Sequence, residues 1–334
     1  MKGNKFVLSV CVILGLFGIL SMLLGIMSDP NVREIQSNSI EWNNQKEDVP
    51  YRDFVKDNYQ VYTIEMPDSM EFAGEKVPLG NVDIKDRLDR EFHVNTYWHS
   101  QTFLFHKRAG RWFPIIERIL KEQDVPDDFK YLCLIESGLE NVISPAGATG
   151  FWQFMKKTAR DYQLQINDEI DERYNVERST RSACEYLKIA KRKFGSWTLA
   201  AASYNMGKSG LQNRLLEQKT NSYYDLHLNS ETSRYVMRII AAKYILSESE
   251  YYGFRLRNSD IYKPYDVKKV IIDSTISSLV DFAIEHKISF RSLKVLNPWL
   301  RGKSLHATEE KTYELKLPAG GSELKEKILE EKDD

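Results

Sequence analysis

Between Ile84 and about Phe254 apolar side chains recur at three- and four-residue spacing, and strand-like alternation is missing. That periodicity commits about half the chain to packed helices. Phe113, Ile116 and Leu120 mark one such stripe, and Leu187, Ala190 and Phe194 another. The pattern changes after Gly253. Residues 265–272 are rich in β-branched side chains and predict a strand, residues 276–286 and 290–296 two short helices, and residues 312–317 a closing strand. The expected fold class is mainly α, with a helical body at residues 82–255 followed by a small βααβ domain at 262–319. The charged tail, residues 320–334, predicts a solvated or frayed helix.

The N-terminus obeys another rule. Residues 6–27 are a run of 22 residues without a charge, preceded by Lys2 and Lys5 and followed by Asp29. Such a run can cross a bilayer once as a helix. The alternative, a cleaved signal peptide, would have an apolar core of about 7 to 15 residues and a small-residue cleavage site, and no convincing site lies near Ser28. Residues 1–28 therefore read as a signal anchor, an N-terminal transmembrane helix. The two lysines place its start in the cytoplasm and the remainder of the chain beyond the membrane. Residues 29–81 read as a linker and arm, polar at first and then broken by Pro67, Gly74, Pro78 and Gly80. A mean hydropathy of -0.47 excludes a polytopic membrane protein, and 47 basic against 48 acidic residues leave no field that would recruit nucleic acid. Cys11 lies inside the apolar run. Cys133 and Cys184 could pair in an oxidising compartment, yet both fall on apolar helix faces, where a free cysteine packs as a small hydrophobe.

No metal or cofactor is implied, because paired zinc-ligand spacings, a calcium loop and a glycine-rich phosphate loop are all missing. His93, His99 and His106 read as packing residues. The chemistry instead points to Glu136. It is the one acid on the segment FKYLCLIESG, a helix apolar nearly all round that starts after Asp127 and Asp128 and stops at Gly138. Desolvation and the negative end of the helix dipole both raise the pKa of such a carboxyl, which suits a general acid. A structural, ion-paired glutamate is the other reading. The loop SPAGATG, from Ser144 to Gly150, admits close approach of a bulky ligand and leads into Phe151, Trp152, Gln153 and Phe154. Aromatic faces stack on sugar rings and an amide pairs with hydroxyl and N-acetyl groups, although at least one of these aromatics is expected in the core. Tyr204 and Asn205 interrupt the small-residue run before Gly207, and a further polar cluster runs from Glu231 to Tyr235.

Glu136-Ser137, SPAGATGFWQF, ASYNMG from Ala202 and ETSRYV from Glu231 resemble, in order and approximate spacing, the catalytic domain of the soluble lytic transglycosylases, a goose-type lysozyme-like fold. The similarity covers roughly residues 82–254. It implies that Glu136 is the single catalytic acid/base, that Ser144, Gln153, Met155 and Tyr204 line sugar subsites, and that Asn205 supports the site. Glu231 would match the acid of a late motif, with Tyr235 packed beside it. It further implies cleavage of the β-1,4 bond between N-acetylmuramic acid and N-acetylglucosamine in peptidoglycan glycan strands, ending in a 1,6-anhydro ring, and residence in the bacterial periplasm on a membrane anchor.

Two-carboxylate glycosidases are the common case, and Glu140, Asp161, Asp171 and Glu231 are candidates for a second acid. The C-terminal unit is similar to a divergent lysin motif (LysM): LKVLNP at 293–298 fits its signature, whereas Asp273-Ser274 replaces the usual Gly-Asp and residues 301–311 form an insert. A hydrolytic muramidase and a non-catalytic wall-binding scaffold are the competing readings.

Overall fold

The computed structural model describes residues 61–321 and 323–327. The anchor expected at 1–28 and the polar tether after it lie outside the described residues, among which no helix is long and apolar enough to cross a membrane. Residues 63–321 and 323–327 belong to one compact unit. A short hairpin, β1 (Glu71–Phe72) and β2 (Glu75–Lys76), leads into α1 (Val82–Tyr97), α2 (His99–Glu122), α3 (Phe129–Ser137), α4 (Lys156–Asp161), α5 (Val176–Phe194), α6 (Trp197–Met206), α7 (Lys208–Glu217) and α8 (Ser230–Ser247). The helix starts follow local chemistry: side chains of Asn81, Asn175, Ser196 and Asn229 each accept a first-turn backbone N–H.

Helix α8 is the spine, packing on α1, α3 and α6 and burying Val236, Ile239, Ile240 and Ile245 completely. Each such side chain contributes about 2 kcal/mol of burial free energy. Ala200, Ala201 and Ala202 are also fully buried, and this strip of small side chains lets α6 lie close against α5. Cys133 and Cys184 are both buried and free. The arm expected to be mere connection is part of this core, since Met70, Phe72 and Val77 are buried in it. His106 is also buried, against Phe254, and burial lowers its pKa to about 4.

The second domain pairs β3 (Val267–Ile272) with β4 (Tyr313–Pro318) antiparallel, Val267 opposite Pro318 and Ile272 opposite Tyr313. Between the strands run α9 (Leu279–Glu285) and α10 (Phe290–Leu296), closing a core of Leu279, Leu293, Leu305, Leu315 and Leu317. Asn297 is fully buried but satisfied: its amide donates to the Leu293 and Lys316 carbonyls and accepts from the Lys316 N–H. The tail departs from the expected frayed helix. Its described part runs extended, with Tyr265 bridged to Glu326 and a backbone bond from Asp266 to Lys325, because the segment before β3 offers unpaired main chain.

Glu75 links the hairpin to the helices. Its carboxylate accepts from the Ser196 hydroxyl at 2.7 Å, the Trp197 and Thr198 N–H groups at 2.6 and 2.9 Å, and the Thr198 hydroxyl at 2.7 Å. It thereby caps α6. Burial pushes its pKa up, but the hydrogen bonds from Thr198, Ser196 and Trp197 outweigh that and hold it at about 2. With a folded value below the unfolded one, the stabilisation is present above pH 4.5 and lost as pH falls toward 2. Replacing Glu75 by Ala should cost about 2 kcal/mol in urea unfolding at pH 7. The difference from the parent should shrink between pH 4.5 and 2; a constant difference across that window would refute the capping role.

Candidate active site

Helix α3 is fixed at both ends. Asp128 makes no side-chain cap to its own helix; its carboxylate instead accepts from the Ala73 N–H at 2.6 Å and from Lys243 at 2.8 Å, pinning α3 to the hairpin and to α8. Phe129, Leu132, Cys133 and Leu134 are buried. At the other end Gly138 takes φ 63° and returns its N–H to the Leu134 carbonyl at 2.7 Å. Glu136 stands in that last turn, at the negative end of the helix.

The Glu136 carboxylate accepts a short hydrogen bond from the buried Tyr235 hydroxyl. Part of the Glu136 surface stays open while protein surrounds the group densely, so access and desolvation coexist. Burial raises its pKa most; the Tyr235 hydrogen bond and the Arg238 charge pull it down, and the Glu231 charge pushes it up. The balance is about 7. Glu231, Tyr235 and Arg238 follow i, i+4, i+7 spacing on α8, so one helix face presents an acid, a phenol and a guanidinium to the same carboxyl. The phenol was expected among substrate-lining residues beside Glu231. Its position beneath Glu136 makes it a carboxyl partner.

Across from α3 the loop that begins at Ser144 is held by its own groups. The Ser144 hydroxyl accepts from the Ala148 N–H at 3.0 Å, and Thr149 bridges both Ile143 and Phe154. Gly150 has φ 82°, and a Cβ there would lie 2.0 Å from the Arg173 carbonyl oxygen. The aromatic residues after it do not offer faces to a sugar: Phe151, Trp152 and Phe154 are all buried, with the Trp152 indole donating to Thr180 at 2.8 Å. Their apolar area is worth more in the core than at a wet groove. Gln153, at φ 48°, donates its amide to the carbonyls of Gly150 at 2.7 Å and Val142 at 3.1 Å, and so shapes the loop. Met155 is exposed.

On α6 the Tyr204 hydroxyl donates to the Trp152 carbonyl at 2.8 Å, and its ring meets Trp152, Phe154 and Tyr186 edge-on. Asn205 reaches the Glu231 carboxylate at 3.5 Å. Glu136, Tyr235, Tyr204, Asn205 and Glu231 thus converge, while Ser144, Gln153 and Met155 lie on the loop beside them.

Of the possible second acids, Glu140 pairs with Arg108 at 2.9 Å, Asp161 is exposed, and Asp171 is locked in a buried fork with Arg173. The Glu231 charge pushes the Glu136 pKa up. Three further residues support the site in roles the sequence did not assign to them. Arg238 was readable from its spacing to Tyr235 on one helix face. Ser137, whose hydroxyl donates to the Phe151 carbonyl at 2.9 Å, was readable only in part, and Arg173, which donates to the Gly147 and Phe154 carbonyls at 3.2 Å each, carried no local signal.

Residues 113–226 match the Transglycosylase SLT domain model, and residues 268–321 the Soluble lytic transglycosylase C-terminal LysM-like domain. The chain therefore carries an SLT domain followed by a LysM-like domain. The first match stops short of Glu231 and Tyr235, which the structure brings to Glu136 from α8. Membrane-bound lytic murein transglycosylase D of Escherichia coli strain K12 is 27% identical over 248 residues, covering 71% of this chain and 53% of that protein. The same protein of strain CFT073 aligns identically. A putative tributyltin chloride resistance protein of Alteromonas sp. strain M-1 is 28% identical over 114 residues, 34% of this chain and 55% of that one. The chain spans about half the length of the curated relatives it matches.

A carboxyl whose folded pKa is raised stabilises the fold below its unfolded pKa and loses that contribution as pH climbs through the folded value. Wild-type protein should therefore become less stable than the Glu136→Gln variant between pH 4.5 and about 7. The gap should reach about 2 kcal/mol after allowance for partial exposure. Thermal midpoints of both proteins that run parallel across that range would show the carboxyl to be unperturbed.

Proposed function

We propose that this chain is a peptidoglycan lytic transglycosylase held at the outer face of the cytoplasmic membrane by residues 6–27. The observation that carries the reading is the Glu136 carboxyl: half-protonated near pH 7, open on one side, and backed by Tyr235. The SLT and LysM-like matches support the same chemistry, as does the name of the E. coli relatives.

In this mechanism a glycan strand lies between the Ser144 loop and the Asn205–Glu231 pair. Glu136 gives its proton to the glycosidic oxygen of the leaving N-acetylglucosamine as the C1–O4 bond breaks. The substrate's N-acetyl group is available to support the developing charge at C1. The carboxylate then takes the proton of the muramyl C6 hydroxyl while O6 bonds to C1, closing the 1,6-anhydro ring and restoring the acid. Proton count balances and no water is consumed. Tyr235 stabilises the carboxylate between the two transfers, which suits one residue that must donate and then accept. The LysM-like domain would add contact with the glycan wall.

Digestion of intact sacculi tests this. The wild-type protein should release 1,6-anhydromuropeptides, and Glu136→Gln should lower release by about 100-fold or more. Products with reducing ends only would establish a water-using muramidase, and an unimpaired Glu136→Gln variant would remove Glu136 from the mechanism.

A further inference from the structure

We infer that the LysM-like domain braces the loop bordering the candidate site, acting through residues 165–174, with Glu169, Asp171 and Arg173 as positioning residues. The segment leaves the helical body after α4 and returns to it at α5. Between those points two of its side chains, Ile170 and Tyr174, are buried in the βααβ core. Ile170 bridges Leu300, and the Asp171 N–H donates to the Trp299 carbonyl at 2.9 Å. The Glu169 carbonyl accepts from the N–H groups of Arg301 at 2.7 Å and Gly302 at 3.0 Å. A Cβ on Gly302 would lie 2.9 Å from the Glu169 Cα, so the two chains touch main chain to main chain.

The Glu169 carboxylate completes the clasp. It accepts from the Ser304 hydroxyl at 2.5 Å, the His306 N–H at 3.1 Å and the His306 ring Nδ1 at 2.7 Å. Arg301 lies over the Tyr174 ring at 4.5 Å. A module that served only to hold the enzyme near the wall would need a tether and no shared core.

The other end of the segment grips the loop. Asp171 takes the Arg173 guanidinium at 3.0 and 2.7 Å, and the same guanidinium donates to the carbonyls of Gly147 and Phe154. Those two carbonyls bracket Gly150, which is pressed against the Arg173 main chain. Both charges are buried, and a buried ion pair is a poor source of stability, so its use here fits a demand for geometry. Lysine cannot replace this fork, because one ammonium cannot hold a carboxylate and two carbonyls in a plane. The order of contact is therefore LysM-like main chain, Glu169 to Asp171, Arg173, then the loop from Ser144.

The activity arm of the test rests on the transglycosylase reading; the exchange arm does not. In the full-length chain, Glu169→Ala should speed amide exchange in residues 144–154 by about tenfold and leave α3 and α6 unchanged. With a short soluble glycan fragment it should lower kcat about tenfold and keep KM within about threefold, since orientation is lost and contact is kept. Glu169→Gln, which retains an acceptor, should recover most of both. Arg173→Lys should reproduce both defects with the LysM-like domain intact and retention on sacculi unchanged. Unaltered exchange at 144–154 in both Glu169→Ala and Arg173→Lys would overturn the brace, as would a kcat loss on sacculi without one on the soluble fragment. A wild-type protein that cleaves neither substrate would refute the enzymatic reading, and the exchange result would still decide the brace.

Discussion

A carboxyl group set in the last turn of an apolar helix faces two costs at once, lost hydration and the negative helix end, and both fall on its ionised form. Glu136 sits under both, and much of the surrounding structure bears on how far they are relieved. Tyr235 donates to it and the Arg238 charge lowers its pKa, while the Glu231 charge raises it. These three come from a single face of α8. A rotation of that helix would change the acidity of Glu136 and disturb its packing on α3. Lys243, also on α8, bonds to Asp128 and fixes the register between the two helices.

The site is consequently supported from outside itself. Glu75 of the hairpin caps α6, the helix that carries Tyr204 and Asn205. Tyr204 spends its hydroxyl on the Trp152 carbonyl, and Ser137, adjacent to Glu136, spends its own on Phe151. The buried aromatic run therefore behaves as a keel for the loop. What it contributes is rigidity, and in the proposed function sugar contact would fall to Ser144, Gln153, Met155 and the polar groups across from them. A long polymer substrate accords with this division, because a fixed cleft orients the reacting linkage at little entropic cost.

Much of the architecture was legible in sequence because it follows periodicity. The helical body, both strands of the βααβ unit and the stop of α3 at Gly138 were all readable locally, and Glu136 stood out as the lone acid on an apolar helix. Where expectation and structure part, long-range contacts decide. Asp128 lies in the position of a helix cap but bonds to Ala73 and Lys243, far away in sequence. The tail was read as a helix from its charge, yet it pairs with residues 264–266. Trp152 and Phe154 suit sugar stacking by residue type, and only packing shows them buried. Arg173 is silent in sequence, since an arginine two residues from an aspartate is ordinary until its carbonyl partners are known.

The account turns on whether Glu136 is an acid poised near neutral pH. Selective carbon-13 labelling of glutamate, with the Glu136 resonance assigned by its loss in Glu136→Gln, allows its carboxyl carbon to be followed by NMR across pH. A midpoint near 7 is expected. A midpoint near the ordinary glutamate value of about 4.3 would contradict it.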